Sequence, residues 1–154
     1  MNEIFDKILA LLEREHIAYI LQEHEPVRTS EEAAKVRGVE IAAGVKSMVV
    51  KCDNSFYLFM LPGSARINWK RVKTITGCKN VRFATEEEAE ELTHVKMGSV
   101  PPFPALLNLK GYIDYAVFRN EMAHFNPGSV IHTISMKAKD LGKINQAIQE
   151  SFMQ

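Results

Sequence analysis

Cysteine is scarce in this chain, which has only two cysteines among 154 residues. Two are too few for a disulfide framework, and Cys52 and Cys78 do not stand at the spacing of a metal-ligand motif. The five histidines are scattered and include no His-x-x-x-His pair, so we expect neither a metal nor another cofactor. We expect both cysteines to be reduced structural thiols in the cytoplasm, with a bridge between them as the alternative.

The chain also lacks long apolar runs and an excess of either charge. No uncharged apolar run approaches the ~20 residues that span a bilayer, and the acidic start does not resemble a signal peptide. We therefore expect no association with membranes. Basic and acidic residues balance at 19 each, so the sequence does not favour binding to DNA. Any contact with RNA must be a local patch or involve only an RNA end.

Several common catalytic signatures are missing. The sequence contains no glycine-rich dinucleotide fingerprint, no phosphate-loop motif and no Gly-x-Ser-x-Gly elbow. If the protein is an enzyme, we expect it to work by positioning its substrate and stabilising developing charge.

The pattern of apolar residues predicts one α/β domain over residues 1–154. Helices are predicted after the caps Asn2, Thr29 and Thr85 and over 67–75, and the segment 138–152 is amphipathic at helical spacing. Strands are predicted over 17–22, 45–51, 56–61, 81–84, 109–113, 115–118 and 130–136. Strands and helices do not alternate regularly, which favours a mixed sheet with 56–61 at its centre.

Lys46 stands near the front of an apolar strand. Alternate side chains of a strand point to the same face, so Lys46 shares its face with Met48 and Val50. A cation in that position is paired, snorkels to water or serves a function. Asp114 is a candidate partner for it, and a turn residue is the alternative.

Two later segments have the character of binding loops. Gly98 allows close approach of the backbone to a ligand, and Pro101, Pro102 and Pro104 stiffen the residues after it. His132 follows a glycine bend and lies on an apolar strand face. It is either a hydrogen-bonded core histidine or a pocket residue.

Five motifs taken in order resemble one known family. They are His24–Pro26, Thr29–Ala34, Gly44–Lys46, Gly98–Phe103 and Phe125–His132. The series resembles the YbaK / prolyl-tRNA-synthetase-associated family of trans-editing domains over nearly the whole chain, from about residue 19 to 141.

The resemblance implies a compact single domain in which helices surround a mixed, barrel-like β-sheet. It implies an aminoacyl-tRNA deacylase that hydrolyses the ester of mischarged tRNA at the acceptor end, classically on tRNA for proline. A synthetase is a possible partner. The alternatives are a non-catalytic module that binds aminoacyl-tRNA or docks on a synthetase, and hydrolysis of another small acyl ester.

The resemblance also assigns candidate site residues. The catalytic candidates are Lys46, Gly98 and His132. The substrate-binding candidates are His24, Thr29, Ser47, Ser99, Val100, Pro101, Pro102, Phe103, Gly128 and Ser129. Related domains often carry asparagine where this chain has Ser47, which leaves the amino acid substrate open. The basic segment adds Arg66, Lys70 and Arg71 as candidate tRNA contacts, and Trp69 among them either stacks on a base or packs inward.

Overall fold

A computed structural model of the protein describes residues 2–154, which form five α-helices and eight β-strands. The helices are α1 (Glu3–Arg14), α2 (Ser30–Arg37), α3 (Trp69–Thr76), α4 (Glu86–Thr93) and α5 (Ala138–Ile144). The strands are β1 (Tyr19–Glu23), β2 (Val45–Cys52), β3 (Ser55–Pro62), β4 (Val81–Phe83), β5 (Lys110–Asp114), β6 (Met122–Phe125), β7 (His132–Lys137) and β8 (Ile148–Glu150). Short 3₁₀ helices cover Ile41–Ala43, Pro104–Leu107 and Tyr115–Arg119.

The helix ends follow the local signals in the sequence. The Asn2 side chain accepts a hydrogen bond from the Phe5 N–H and begins α1. Thr29 and Thr85 both form complete capping boxes, in which the cap hydroxyl and a glutamate three residues later each bond the other's backbone N–H. Gly38 ends α2 in the left-handed conformation, which glycine adopts without steric cost.

The strands form two sheets. The larger has the order β4-β2-β3-β5-β8, with β2 antiparallel to β3 and β4, and β5 parallel to β3 and β8. This confirms the predicted mixed sheet with β3 at its centre. The smaller sheet, β1-β7-β6, is antiparallel. Over residues 2–154 the strands do not close into a barrel, so the barrel-like arrangement implied by the resemblance is corrected to two open sheets.

Two predicted elements differ from the structure because of contacts that are distant in sequence. The expected strand at 115–118 is a 3₁₀ helix, because the Asp114 carboxylate accepts bonds from the N–H groups of Ala116 and Phe152 at 2.9 and 2.8 Å. Asp114 is thus a turn residue and does not pair with Lys46. The C-terminal segment is helical only to Ile144, after which β8 joins the edge of the sheet beside β5. Strand β6 lies in a segment for which no strand is predicted.

The two faces of β2 pack on different parts of the core. Val45 and Val49 belong to the larger hydrophobic cluster, which also contains Ala84, Ala89 and Val100. Val50 and Cys52 belong to the smaller cluster on the opposite face, with Met48 packed against it. By this alternation Ser47 faces the larger cluster and Lys46 faces the smaller one.

The cysteines are free thiols, Cys52 buried and Cys78 partly so. Burial raises the pKa of the Cys52 thiol to about 12, so it stays protonated and unreactive at neutral pH. Within residues 2–154, each helix falls short of the length and apolar character needed to cross a membrane.

Candidate active site

The main cavity of the structure opens at the edge of β2, between the bridge of Gly44 to His124 and the ladder with β4. Strand β4 pairs only with Val50–Cys52, and just beyond that ladder the Ala84 N–H donates to the Val49 carbonyl at 2.9 Å. The front half of β2 therefore has no β4 neighbour, and a cavity of about 370 Å³ lies beside it. Its walls come from the start of α2, from β2, and from the loop around Gly98.

The ladder geometry sets the direction of the backbone at this edge. The Gly63 N–H donates to the Gly44 carbonyl at 2.8 Å, so Gly44 and Lys46 direct their N–H and C=O groups toward β3. The groups of Ser47, one residue out of phase, point away from β3 and toward the cavity. The cavity thus has main-chain donors and acceptors from a strand that is itself held rigidly by β3.

Lys46 is held half-buried at this edge by neutral acceptors. Its Nζ donates to the carbonyls of Gly63 at 3.2 Å and Ala65 at 2.5 Å. Burial lowers the pKa of Lys46, repulsion from Arg66 adds to that effect, and the charge of Glu31 opposes it. Among residues 2–154 no carboxylate forms a salt bridge with Lys46. An ammonium has three donors, so two carbonyls leave one N–H for a ligand.

Arg37 is a second cation in the cavity wall, at a position that none of the sequence motifs includes. Its Nε donates to Thr133 Oγ1 at 3.0 Å and its Nη2 to Asn126 Oδ1 at 3.2 Å. A weaker contact at 3.4 Å reaches the His124 carbonyl. Burial lowers the pKa of Arg37 to about 10, so it remains charged at neutral pH. Arg37 is the last residue of α2. Basic residues are common at that position because they interact favourably with the helix dipole, so the sequence alone does not indicate a role in a binding site.

The loop after Lys96 brings Gly98 and Val100 to the cavity wall. Gly98 has φ of 94°, in a region that favours glycine. Ser99 is buried, its Oγ donates to the Lys96 carbonyl at 2.6 Å, and its own carbonyl accepts the Gly128 N–H at 2.9 Å. The bond between Ser99 and Gly128 thus connects the Gly98 loop with the turn before His132. The cavity wall is formed by Gly98 and Val100, the residues on either side of Ser99.

The rest of the proline-rich segment lies behind the wall and is buried. Pro101 and Pro102 are buried, and the Pro102 carbonyl accepts a bond from the Asn145 side chain at 3.2 Å. Phe103 packs edge-on against Phe125 at a centroid distance of 5.5 Å. These contacts anchor the loop to the core and do not line the cavity.

His132 and Ser129 lie against α1, outside the cavity wall. The Ser129 hydroxyl and His132 Nδ1 are 2.8 Å apart, and the ring edge contacts Phe5 at 4.8 Å between centroids. His132 Nε2 is 3.4 Å from the Glu23 carboxylate. Gly128 is required here, because a Cβ at that position would lie 2.4 Å from Ile4.

His24 and Thr29 occupy different positions relative to the cavity. Thr29 lines it while capping α2. His24 lies one layer out: its Nε2 is 2.8 Å from Thr133 Oγ1, the same hydroxyl that accepts from Arg37. The structure therefore brings together Lys46, Ser47, Thr29, Gly98 and Val100. His24, Ser99, Pro101, Pro102, Phe103, Gly128, Ser129 and His132 stand behind or beside this group.

Ser47 has an unusual environment among the lining residues. Its Oγ is inaccessible to solvent and has no hydrogen-bond partner in the part of the chain that the structure describes. A buried polar group without a partner costs about 1–3 kcal/mol. Because Ser47 lines the cavity, a polar group of a ligand there is a candidate partner for this hydroxyl.

A second cavity of about 360 Å³ adjoins the first, and the two share Lys46, Met48 and Phe83 as lining residues. Arg66 and Trp69 complete its wall on the side of α3. Trp69 packs edge-on against Phe83 at 4.8 Å, so it both packs inward and faces a cavity. Lys70 and Arg71 are exposed on α3.

The chemistry of the main cavity is that of a site for a polar, electron-rich group. Arg28, Arg37 and Lys46 line it, and its described lining contains no carboxylate and no histidine. Fixed cations and main-chain N–H groups stabilise negative charge that develops on a carbonyl oxygen. Residues 2–154 contain no cluster of three or more His, Cys, Asp or Glu side chains arranged to hold a metal ion.

Comparison with known proteins supports an assignment. The model of the aminoacyl-tRNA editing domain family matches residues 24–144. The chain is 27% identical over 145 residues to the multifunctional Ser/Thr-tRNA deacylase ProXp-y of Escherichia coli K12, covering 91% of this chain and 87% of that protein. It is 34% identical over 99 residues to a proline–tRNA ligase of Bacillus licheniformis, covering 63% of this chain and 17% of the ligase.

Solved structures show the same fold. A protein assigned as a trans-editing enzyme for prolyl tRNA synthetase superposes with a TM-score of 0.82 at 25% identity, covering 100% of this chain and 99% of that one. The hypothetical protein APE2540 gives a TM-score of 0.87 at 24% identity, covering 96% of this chain and 99% of that one. The predicted α/β fold and the resemblance to trans-editing domains are thereby confirmed, and so, at the level of the family, is the predicted function as an aminoacyl-tRNA deacylase. The chain belongs to the aminoacyl-tRNA editing domain family.

Proposed function

We propose that this protein is a single-domain, cytoplasmic deacylase that hydrolyses the ester between a small amino acid and the acceptor end of tRNA. The observation that carries the proposal is the cavity in which Lys46, the open edge of β2 and the Gly98 loop meet. The match to proline–tRNA ligases supports tRNA for proline as the RNA. Because the substrate is charged tRNA, which is used in translation, we place the activity in the cytoplasm.

The reaction needs a held ester, a stabilised oxyanion and a placed water. Water adds its hydroxyl to the acyl carbon, the ester C–O bond breaks, and the oxygen that stays on the ribose receives the proton released by water. Lys46 uses its free donor to hold the ester or to stabilise the oxyanion, as a cation rather than as a base. Main-chain N–H groups at Gly98 and at the β2 edge supply the other donors.

The base that assists water comes from the substrate in this proposal. The described lining of the cavity offers neither a histidine nor a carboxylate for the task. The neighbouring hydroxyl on the terminal ribose lies next to the ester in any bound geometry, and it is our candidate for orienting the water. His132 and Ser129 support the site indirectly. Their contact orders the turn that contains Gly128, and the Gly128 N–H in turn binds the Ser99 carbonyl.

The cavity favours a small amino acid that carries a hydroxyl. The buried apolar residues in the cavity lining are all valine or alanine, including Val27, Ala33, Val45, Val49, Ala84 and Val100. The Ser47 hydroxyl, which lacks a partner in the part of the chain that the structure describes, is our candidate to bond a substrate hydroxyl. The Ser/Thr-tRNA deacylase of Escherichia coli supports the same substrate class.

Deacylation of a panel of charged tRNAs tests the proposal. The panel carries alanine, serine, threonine, cysteine and proline on tRNA for proline and on the cognate tRNAs. We expect serine or threonine to be released fastest, with free amino acid and intact tRNA as the products. If every ester decays at its uncatalysed rate while the protein still binds charged tRNA, the protein is a binding module and the proposal is wrong.

A further inference from the structure

We propose that the second cavity, lined by Lys46, Arg66, Trp69 and Phe83, binds the terminal nucleotide of the tRNA with its base against Phe83. The inference rests on the proposed function and adds to it a binding site of its own. The ligand class is a single-stranded nucleotide, recognised by an aromatic face together with positive charge.

The aromatic part of the site is open to a ligand. Phe83 is 44% exposed at the end of β4, while its neighbour Trp69 on α3 is partly buried. The two rings pack edge to face with centroids 4.8 Å apart, and Phe83 stays 44% exposed beside this contact. A base that stacks on Phe83 would cover apolar surface that the fold leaves in water.

The charged part of the site fits a phosphate. Arg66 and Lys46 both line this cavity, and none of its described lining residues is an aspartate or a glutamate. Their repulsion is one cause of the lowered pKa of Lys46, so the two cations are close enough to interact, with Glu31 as the acidic group near Lys46. A phosphate bound by Arg66 would relieve that repulsion, and the one free N–H of Lys46 stays available to the ester.

The position of the cavity matches the connectivity of the substrate. An aminoacyl ester joins the amino acid directly to the ribose of the last nucleotide, so the two binding sites must adjoin. The two cavities share Lys46, Met48 and Phe83. With the amino acid beside Ser47 on one face of β2, the nucleotide falls on the other face beside Met48, and Lys46 stands at the ester between them.

Tryptophan fluorescence provides a test that does not depend on catalysis. Trp69 is the single tryptophan of the chain, so its emission reports directly on this cavity. We expect adenosine 5′-monophosphate to change the emission in a saturable way and ribose 5-phosphate, which lacks the base, to bind much more weakly. Phe83→Leu, which keeps an apolar contact with Trp69, should weaken nucleotide binding roughly 5- to 150-fold, the range for loss of one stacked base. Equal binding of both ligands, or of the nucleotide by the variant and the wild type, would overturn the proposal.

Kinetics with seryl-tRNA and serine 2-hydroxyethyl ester, which keeps a hydroxyl beside the ester but carries no base, separate this site from the amino acid site. Because Phe83 lines both cavities, Phe83→Leu should raise KM for seryl-tRNA by a larger factor than KM for the hydroxyethyl ester. The control is Tyr115→Ala, which removes a 54% exposed aromatic from the Tyr115–Arg119 turn outside both cavities, and it should change neither. An equal loss on both esters would mean that Phe83 only shapes the amino acid cavity. If the wild type consumes no ester but binds the nucleotide, the proposed function fails and the nucleotide site stands.

Discussion

At the scale of single residues, substitution of Ser47 should affect substrate specificity without lowering the stability of the fold. Ser47→Ala removes a buried hydroxyl that has no partner in residues 2–154, so we expect an unchanged or slightly raised melting temperature. The same change removes the proposed contact with a substrate hydroxyl. We expect kcat/KM for seryl- and threonyl-tRNA to fall about 10-fold relative to alanyl-tRNA, the size of one lost hydrogen bond of about 1.4 kcal/mol.

The control for Ser47→Ala is Ser55→Ala, at the exposed start of β3. It should leave the ratio between seryl- and alanyl-tRNA unchanged. If Ser47→Ala slows all three substrates equally, Ser47 contributes to the shape of the site and does not read the amino acid.

Gly98 can be tested against a second left-handed glycine. Gly98 and Gly77 have φ of 94° and 74°, and an alanine at either position is strained by about 1–2 kcal/mol. We expect Gly98→Ala and Gly77→Ala to lower the melting temperature to a similar extent, because both incur the strain. Only Gly98 lines the main cavity, so only Gly98→Ala should lower kcat/KM. If Gly98→Ala and Gly77→Ala have equal kcat/KM, the Gly98 loop does not contribute to the active site.

At the scale of elements, the start of α4 has a pH dependence that the structure predicts. Glu88 accepts two bonds from Arg82, at 2.7 and 3.0 Å, and caps the Thr85 N–H, which together lower its pKa from 4.5 to about 2. A carboxylate whose pKa is lowered on folding stabilises the protein above pH 4.5. That contribution is lost as the pH falls toward 2.

Glu88→Gln should therefore lower the melting temperature at pH 7, and the difference from the wild type should shrink as the pH falls below 4.5. Glu87→Gln is the matched control, an exposed residue of the same first turn outside the capping box. Melting curves between pH 2 and pH 7 measure both variants. A difference for Glu88→Gln that does not change with pH would contradict the ion-pair explanation.

The helix starts and the central strand could be predicted because their signals are local. A capping box such as that of Thr29 needs only four consecutive residues, and the apolar run of β3 indicates burial on both faces by itself. The 3₁₀ helix after Asp114 could not be predicted, because its carboxylate bonds a segment 38 residues away. The end of α5 was missed for a similar reason, since the strand after it forms only by pairing with β5.

At the scale of the whole molecule, the site could be predicted in part. Lys46, Ser47 and Gly98 belong to motifs that the sequence displays, and the fold brings them to one cavity. Arg37 belongs to no such motif, and it reaches the wall only because Thr133 and Asn126, about 90 residues later, accept its guanidinium. The second cavity could not be predicted from the sequence either, because Phe83 and Trp69 come into contact only through the packing of β4 on α3.

If the cation at Lys46 carries the hydrolysis of the aminoacyl-tRNA ester, Lys46→Ala should lose turnover of seryl-tRNA. The control is Lys51→Ala, a half-buried lysine of the same strand that lies outside both cavities. We expect Lys46→Ala to fold as well as the wild type, because a partly desolvated cation without a carboxylate partner contributes little to stability. Its kcat should fall by about 100-fold or more, the effect of losing one group that stabilises an oxyanion, while Lys51→Ala stays near the wild type. A folded Lys46→Ala protein that releases serine at the wild-type rate would show that Lys46 does not carry the reaction.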